Sequence, residues 1–187
     1  MARVRGNSGL SCIGIRVWLR RLTVEATESN LEIERKFLIT DASWQNGSEG
    51  VLFAQGYVPN GSCTFRVRRT GIDGGFLTIK TAHSGIRRKE FEYPIPAEDA
   101  AYLMASICSG GVVEKYRHCI SVGQHVWEID VFIGANEGLV VAEIELGAED
   151  EAFERPSWLG EEVSHDPRYR NACLAVNPYT TWPKEST

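Results

Sequence analysis

Two carboxylates and an ammonium group alternate along one short stretch of the chain, at Glu32, Glu34 and Lys36. Side chains in a β-strand point to alternate faces, so these three share one face while Ile33 and Phe37 take the other. The Cβ atoms of two residues spaced in this way lie roughly 6–7 Å apart. Paired carboxylates repel each other, but they suit a hard divalent cation, which prefers oxygen ligands. The Lys36 ammonium would then suit an anion held by the same cation.

The same sorting of charge recurs in later strand-like runs of the sequence. Seven of the eight runs, the first included, carry charged side chains on one face and apolar side chains on the other, and the charges are grouped into basic and acidic sets. A solvated sheet face would also alternate, but it would carry a mixture that includes Ser, Thr and Gln. The charged set comprises Glu32, Glu34, Lys36, Arg66, Arg68, Lys80, Arg88, Glu90, Glu92, Lys115, Arg117, Glu128, Asp130, Glu143 and Glu145.

Eight strand-like runs are separated by turn residues, which predicts a β-sheet. Eight strands are enough to close a barrel around a lumen that holds side chains and one ligand. If the charged faces point inward, the lumen is costly to desolvate unless its charges pair or a ligand and metal fill it. The predicted runs are 31–38, 51–58, 63–69, 76–80, 87–95, 112–121, 125–133 and 139–146.

Helical signals are fewer. Pro96 followed by Glu98 and Asp99 predicts a helix over 97–107, since proline and acidic residues suit a helix N-terminus. Asp166-Pro167 predicts a second helix over 168–175 by the same logic, and a short helical stretch is expected over 150–153.

Composition indicates one ordinary globular domain of 187 residues, with 43% hydrophobic and 24% charged residues. Residues 1–24 contain five arginines and no acid, so they carry +5 of the formal net charge of −5 and the remaining chain carries −10. We therefore expect residues 1–29 to be an N-terminal extension, disordered or the product of a start codon placed too far upstream. Residues 30–187 should form the single domain.

The charge balance and the cysteines exclude several classes of protein. An acidic body argues against non-specific nucleic-acid binding. Five widely spaced cysteines without a CxxC pair argue against a zinc site or a disulfide framework and favour a cytoplasmic location. No run approaches the roughly 20 apolar residues of a membrane span.

The stretch Glu32-Ile33-Glu34-Arg35-Lys36 resembles the ExExK signature of the CYTH superfamily, also called triphosphate tunnel metalloenzymes. The later doublets follow the order of that family, and the resemblance extends over roughly residues 31–178. It implies an α+β fold in which an eight-stranded antiparallel β-barrel encloses a hydrophilic tunnel and helices pack outside. It also implies a metal-dependent triphosphatase that acts on inorganic tripolyphosphate.

The resemblance assigns roles to the charged set. The bases that would bind the triphosphate are Lys36, Arg66, Arg68, Lys80, Arg88, Lys115 and Arg117. The carboxylates that would hold Mg²⁺ or Mn²⁺ are Glu32, Glu34, Glu143, Glu145 and Asp130, and those that would support them are Glu90, Glu92 and Glu128.

Catalysis would be an in-line attack by water on a terminal phosphoryl group. Lys80 is expected to lie among other cations, which would depress its pKa, and with the Tyr57 phenol it could accept a proton; Lys36 completes the expected catalytic group. Adenylate cyclase, thiamine or nucleoside triphosphatase activity, and a non-catalytic polyphosphate or nucleotide sensor remain alternatives. The expected partner is a small-molecule triphosphate, with no nucleic acid or membrane, and the expected oligomeric state is a monomer or homodimer.

Overall fold

The computed structural model describes residues 30–45, 47, 49–58 and 63–183. The expectations for residues 1–29 lie outside the described residues. These described residues form nine strands: β1 Leu31–Ile39, β2 Val51–Val58, β3 Cys63–Thr70, β4 Gly74–Thr81, β5 Arg87–Ile95, β6 Ser109–Val122, β7 His125–Ile133, β8 Val140–Glu145 and β9 Leu159–Glu162.

The helical elements of the described residues are short. Helix α1 spans Ala97–Ser106 and helix α2 spans Asn171–Leu174, and three 3₁₀ turns cover Gly134–Asn136, Pro167–Tyr169 and Tyr179–Thr181. None of the described helices is both long and apolar enough to cross a membrane.

Eight of the strands form a closed antiparallel barrel, as predicted. The strand order is β5-β4-β3-β2-β6-β7-β8-β1. Pairing between the first residues of β1 and the first residues of β5 closes the ring. In that closing pair Glu32 lies opposite Arg88. Strand β9 pairs with the other end of β1, at Phe37 and Ile39, and is an addition that the sequence did not predict.

Strand β1 therefore has neighbours along its whole length. One edge pairs with β8 over residues 34–38, and the other edge pairs first with β5 and then with β9. Between those two partners the Lys36 amide donates to the Ser164 hydroxyl at 2.9 Å. Because every part of β1 is held, the Glu-x-Glu-x-Lys side chains have fixed positions.

The main apolar cluster lies on the outer face of the barrel, because the inner face is charged. Phe37 and Trp127 are fully buried there, with ring centroids 5.6 Å apart. Trp158, which follows β8 in the chain, packs on Trp127 at the same centroid distance. The apolar side chains predicted from the alternation thus face outward. The segment before β9 covers part of this outer face, and helix α1 packs on it over β3 and β4.

A second apolar cluster lies on the inner face at one end of the barrel. Val113, Phe132 and Val141 share strands and faces with lumen-facing charges, and Leu174 of α2 packs against them. Leu174 is fully buried. The C-terminal segment therefore covers an uncharged part of the lumen wall.

Two helix predictions were wrong. The stretch 150–153 forms no helix. The helix expected over 168–175 is split into a 3₁₀ turn and α2, because Arg170 has an extended backbone, with ψ at 132°. Asp166 does accept a hydrogen bond from the Arg168 amide at 2.9 Å, so the cap exists but serves only the first turn. The helix predicted over 97–107 is confirmed as Ala97–Ser106.

Candidate active site

The sequence-predicted charges converge in the lumen of the barrel. Lys80, Lys115, Asp130 and Glu143 are all at most 5% exposed, which is rare for charged side chains unless they are paired. The pairs join different strands. Register brings together Lys115 and Asp130 on the neighbouring strands β6 and β7, and barrel closure brings Glu32 to Lys80 and Arg88.

The deepest group of charges joins β6, β7 and β8. The Arg117 guanidinium donates to both Asp130 carboxylate oxygens at 2.6 Å and to Glu143 at 2.7 Å, and it also contacts Glu128. The Lys115 ammonium contacts the same Asp130 carboxylate. Asp130 is fully buried, and Lys115 and Arg117 together neutralise its charge.

Lys115 is the most enclosed base, with a side chain 2% exposed. Burial, and to a smaller extent repulsion from Arg117, outweigh the attraction of Asp130. Together they lower the pKa of Lys115 to about 8. This ammonium is therefore close to losing its proton under mildly alkaline conditions.

A second group lies across β3, β4 and β5. The Arg66 guanidinium donates to Glu92 at 3.0 Å and Glu90 at 3.3 Å, and Arg68 donates to Glu92 at 2.9 Å. Burial alone would raise the pKa of Glu90, but Lys80 and Arg66 outweigh it and bring the value down to about 2. Glu90 is thus a permanent carboxylate that orients bases.

Glu32 on β1 links this strand to β4 and β5 where the barrel closes. Its carboxylate accepts from the Lys80 ammonium at 2.9 Å and from the Arg88 guanidinium at 2.6 Å. Lys80 also lies 3.3 Å from Glu90. The prediction that Lys80 lies among cations is therefore only partly right. Its ammonium contacts two carboxylates, and these in turn bind the neighbouring Arg88 and Arg66.

Lys36 lies between two carboxylates predicted to hold metal. Its ammonium contacts Glu143 and lies 2.5 Å from Glu34. Burial would lower the pKa of Lys36, but Glu143 and Glu34 outweigh it and raise the pKa above the ordinary lysine value. In the β1–β8 register Glu145 lies directly across from Glu34, and Glu143 lies across from Lys36.

Tyr57 faces the lumen, but its surroundings do not favour the proton-accepting role expected from the sequence. The phenol is buried, and burial raises the pKa of Tyr57 above its ordinary value despite the nearby Arg66 and Arg88. The hydroxyl oxygen accepts a hydrogen bond from Gln55 at 2.8 Å. At neutral pH the phenol keeps its proton and is a hydrogen-bond donor toward the lumen.

Aromatic rings position several of the bases. Phe53 is 1% exposed and lies between Arg68 and Arg117, whose guanidinium carbons are 5.1 and 5.2 Å from its ring centroid. Phe76 approaches Arg68 on another side at 5.3 Å. The ring separates two like charges and attracts both, which fixes where the guanidinium groups point.

Sequence reasoning did not identify three buried lumen residues that support the bases. The Thr78 hydroxyl accepts from Arg66 at 3.1 Å and donates to Glu92 at 2.9 Å. Gln55 bonds to Tyr57, and Phe53 contacts two arginines as described above. The available signal was the strand period of two, which places Thr78 with Lys80, and Gln55 and Phe53 with Tyr57.

The carboxylates suit a divalent cation in chemistry, although in the described part of the chain no three His, Cys, Asp or Glu side chains are grouped closely enough to hold one. The donor set at Glu32, Glu34, Glu143 and Glu145 consists of oxygen alone, as Mg²⁺ and Mn²⁺ prefer. Glu32, Glu34 and Glu143 are bound to bases in the structure. Anionic substrate oxygens would compete for those bases and release carboxylates to a cation.

A closed antiparallel barrel whose lumen is lined with paired bases and carboxylates defines a tunnel-type protein suited to a polyanion. A family model described as the CYTH domain matches residues 30–170. The chain belongs to the CYTH domain family.

Similar proteins share both sequence and fold. The chain is 43% identical over 149 residues to an inorganic triphosphatase of Acetivibrio thermocellus, covering 79% of this chain and 95% of that protein. It is 38% identical over 153 residues to an inorganic triphosphatase of Nitrosomonas europaea, covering 78% and 97%. The crystal structure of the inorganic triphosphatase NE1496 superimposes with a TM-score of 0.57 at 34% identity, covering 78% of this chain and 94% of that one.

Proposed function

We propose that this protein is a metal-dependent triphosphatase that hydrolyses inorganic tripolyphosphate inside the barrel. The observation that carries the proposal is the buried lumen, in which seven bases from five strands face one space and each is already paired with carboxylates. Such a lumen is electrostatically complementary to a compact polyanion. The names of the two relatives above support the same substrate.

Each group of bases has a distinct task in this proposal. Arg66, Arg68 and Arg117 present planar forks that match phosphate oxygens in a bidentate manner. Lys36, Lys80 and Lys115 supply point charges, and Arg88 binds at the more exposed edge. The Tyr57 hydroxyl donates a hydrogen bond to a phosphoryl oxygen.

The carboxylates hold the metal and orient the bases. Glu32, Glu34, Glu143 and Glu145 would hold Mg²⁺ or Mn²⁺, and Glu90, Glu92 and Glu128 would keep the bases in place. Asp130, assigned to the metal by the sequence, fits the role of counterion for Lys115 and Arg117 better. When bound, the metal supplies charge neutralisation on the phosphoryl group and a lowered pKa of coordinated water.

Phosphate release from tripolyphosphate, ATP and thiamine triphosphate tests the proposal, with Mg²⁺, Mn²⁺ or EDTA present. Metal-dependent hydrolysis of tripolyphosphate, with little from the other two, is the expected result. Pyrophosphate produced from ATP would indicate a cyclase, and release from thiamine triphosphate would indicate that specificity. Tight binding without turnover would indicate a sensor. A cytoplasmic location and a monomeric or dimeric state stay predictions.

The catalytic roles of Tyr57 and Lys80 are separable by mutation. Tyr57→Phe removes one hydrogen bond to the reacting phosphoryl group, so kcat should fall about tenfold to a hundredfold with a smaller change in binding. Lys80→Ala removes a charge and leaves Glu32 and Glu90 less compensated, so a larger loss is expected. Turnover and calorimetric binding, measured separately, check both; near-normal turnover in both variants with substrate still bound would reject the two roles.

The pH dependence should report Lys115. Below pH 8 its ammonium is charged and attracts phosphate; above that pH a growing fraction is neutral. We therefore expect kcat/KM for tripolyphosphate to fall with rising pH from about 8 onward. Lys115→Arg keeps its charge at these pH values, so its decline should begin at higher pH. An identical break in both proteins would assign the titration to another group.

A further inference from the structure

Two buried polar atoms of the lumen have no hydrogen-bond partner among the described residues. One is the amide oxygen Oε1 of Gln55 and the other is the Nε of Arg68. Gln55 is 1% exposed and Arg68 is 8% exposed. Buried polar atoms without partners are uncommon in folded proteins, so two of them on neighbouring side chains indicate a place for a small polar molecule.

The strand register places these two side chains together. Gln55 on β2 lies directly opposite Arg68 on β3. Two residues paired in this way point to the same face of the sheet, with Cβ atoms about 5 Å apart. That face is the lumen, because Tyr57 lies two residues from Gln55 on the same strand and faces it. Oε1 and Nε are both bonded to the Cδ of their side chain, so they stand at a similar height above the strands.

The remaining polar groups hold both side chains in position. The Gln55 Nε2 donates to the Tyr57 hydroxyl oxygen at 2.8 Å. The Arg68 Nη2 donates to Glu92 at 2.9 Å, and the Arg68 guanidinium carbon lies 5.1 Å from the Phe53 ring centroid. Each side chain is therefore anchored by other atoms, and Oε1 and Nε each keep one hydrogen bond to make.

The chemistry of the two atoms identifies the molecule that fits. Oε1 of Gln55 can only accept a hydrogen bond, and the Nε–H of Arg68 can only donate one. An ionised phosphate oxygen accepts but does not donate, so it would match Arg68 and leave Gln55 without a partner. Water donates to Oε1 and accepts from Nε–H, so it satisfies both.

We propose that Gln55 and Arg68 bind the water molecule that attacks the terminal phosphoryl group. The same Gln55 amide bonds through Nε2 to Tyr57, whose hydroxyl donates to a phosphoryl oxygen in the proposed function. A water on Oε1 therefore lies beside that phosphoryl group. This inference rests on the proposed function, because it adds a residue to the same reaction.

Gln55 orients the water and takes up no proton. The water oxygen bonds to phosphorus as the bridging P–O bond breaks, and pyrophosphate leaves with the electron pair of that bond. Both hydrogens of the water end on the orthophosphate product. A second lone pair of the water oxygen stays available for the attack, because Arg68 occupies only one.

Gln55→Met tests the role of the amide. The variant keeps an uncharged, unbranched side chain but loses the acceptor. We expect kcat for tripolyphosphate to fall about 100-fold, because the water is no longer oriented, and the calorimetric Kd to stay within about twofold. Gln124→Met makes the same change at an exposed residue of the β6–β7 turn and should alter neither value. A lower Tm with unchanged kcat would mean that the water is only structural, and a loss of binding equal to the loss of kcat would reject the role in orienting water.

The Tyr57→Phe background separates the water from the phenol. If Gln55 acts only through Tyr57, Gln55→Met has no further effect once the hydroxyl is gone. A bound water predicts a further fall in kcat of about tenfold or more. Identical turnover of Tyr57→Phe and the double variant would therefore overturn the proposal.

A crystal structure of the wild type with tripolyphosphate in EDTA gives a readout that does not need turnover. An ordered water should lie about 3 Å from both Gln55 Oε1 and Arg68 Nε. A phosphate oxygen or a protein atom in that place would overturn the inference while leaving the proposed function intact. A wild type that binds this water but hydrolyses no triphosphate with either metal would instead reject the proposed function, and the catalytic role of the water with it.

Discussion

Asp130→Asn should destabilise the fold by about 3–5 kcal/mol, with EDTA present or absent. The substitution preserves shape but removes the fully buried negative charge that faces both Lys115 and Arg117. The two buried bases then have fewer carboxylate partners. Removing one charge from a buried ionic group lowers the free energy of unfolding, because the remaining charges stay buried without compensation. Chemical denaturation of the variant and the wild type, each with and without metal, measures the effect.

The same experiment separates the two roles proposed for Asp130. A counterion contributes to stability without metal, whereas a metal ligand contributes only when metal is bound. Glu34→Gln is the control, because its side chain is 19% exposed and pairs only with Lys36 among the ion pairs of the described residues. We expect little loss from it in EDTA. If Asp130→Asn is as stable as the wild type in EDTA and differs only with metal, the sequence-based assignment to the metal is right.

Glu32→Gln should lower kcat/KM for tripolyphosphate about 10³-fold, equivalent to about 4 kcal/mol of transition-state stabilisation. Glu32 is buried and bonds to both Lys80 and Arg88, and it is one of the proposed metal carboxylates. The variant loses a metal ligand and releases two bases from their fixed positions. Initial rates over a range of Mg²⁺ and Mn²⁺ concentrations measure the loss, and the metal-dependent rise in Tm should shrink with it.

Glu162→Gln on β9 is the control, because it removes the partner of Arg35, which lies on the opposite face of β1 from Glu32. Glu162 accepts a hydrogen bond from the Arg35 Nε at 2.8 Å. This hydrogen bond lowers the pKa of Glu162 below its ordinary value, because it outweighs the opposite effect of burial. The Arg35–Glu162 pair joins β1 to β9 and does not face the lumen. Its loss should cost at most about 1 kcal/mol of stability and leave turnover unchanged. Equal activity losses in Glu32→Gln and Glu162→Gln would mean that the effect is structural.

The sequence by itself determined the strands and their faces. Alternation in Glu32-Ile33-Glu34-Arg35-Lys36 depends only on the period of two in an extended chain, which is a local property. The same period correctly placed the other bases and carboxylates on one face, and the number of runs indicated a closed barrel. Helix α1 was predictable because Pro96 and two acidic residues act within one turn.

The tertiary structure alone decided which charges meet. Asp130 lies opposite Arg117 in the β6–β7 register, and Lys115 reaches the same carboxylate from the next position on that face, so Asp130 is enclosed by two bases. Glu32 meets Lys80 and Arg88 only because β5 returns to β1. The burial of Tyr57 depends likewise on a C-terminal segment that packs against the barrel. Register, closure and long-range packing join residues far apart in sequence, and no local pattern encodes them.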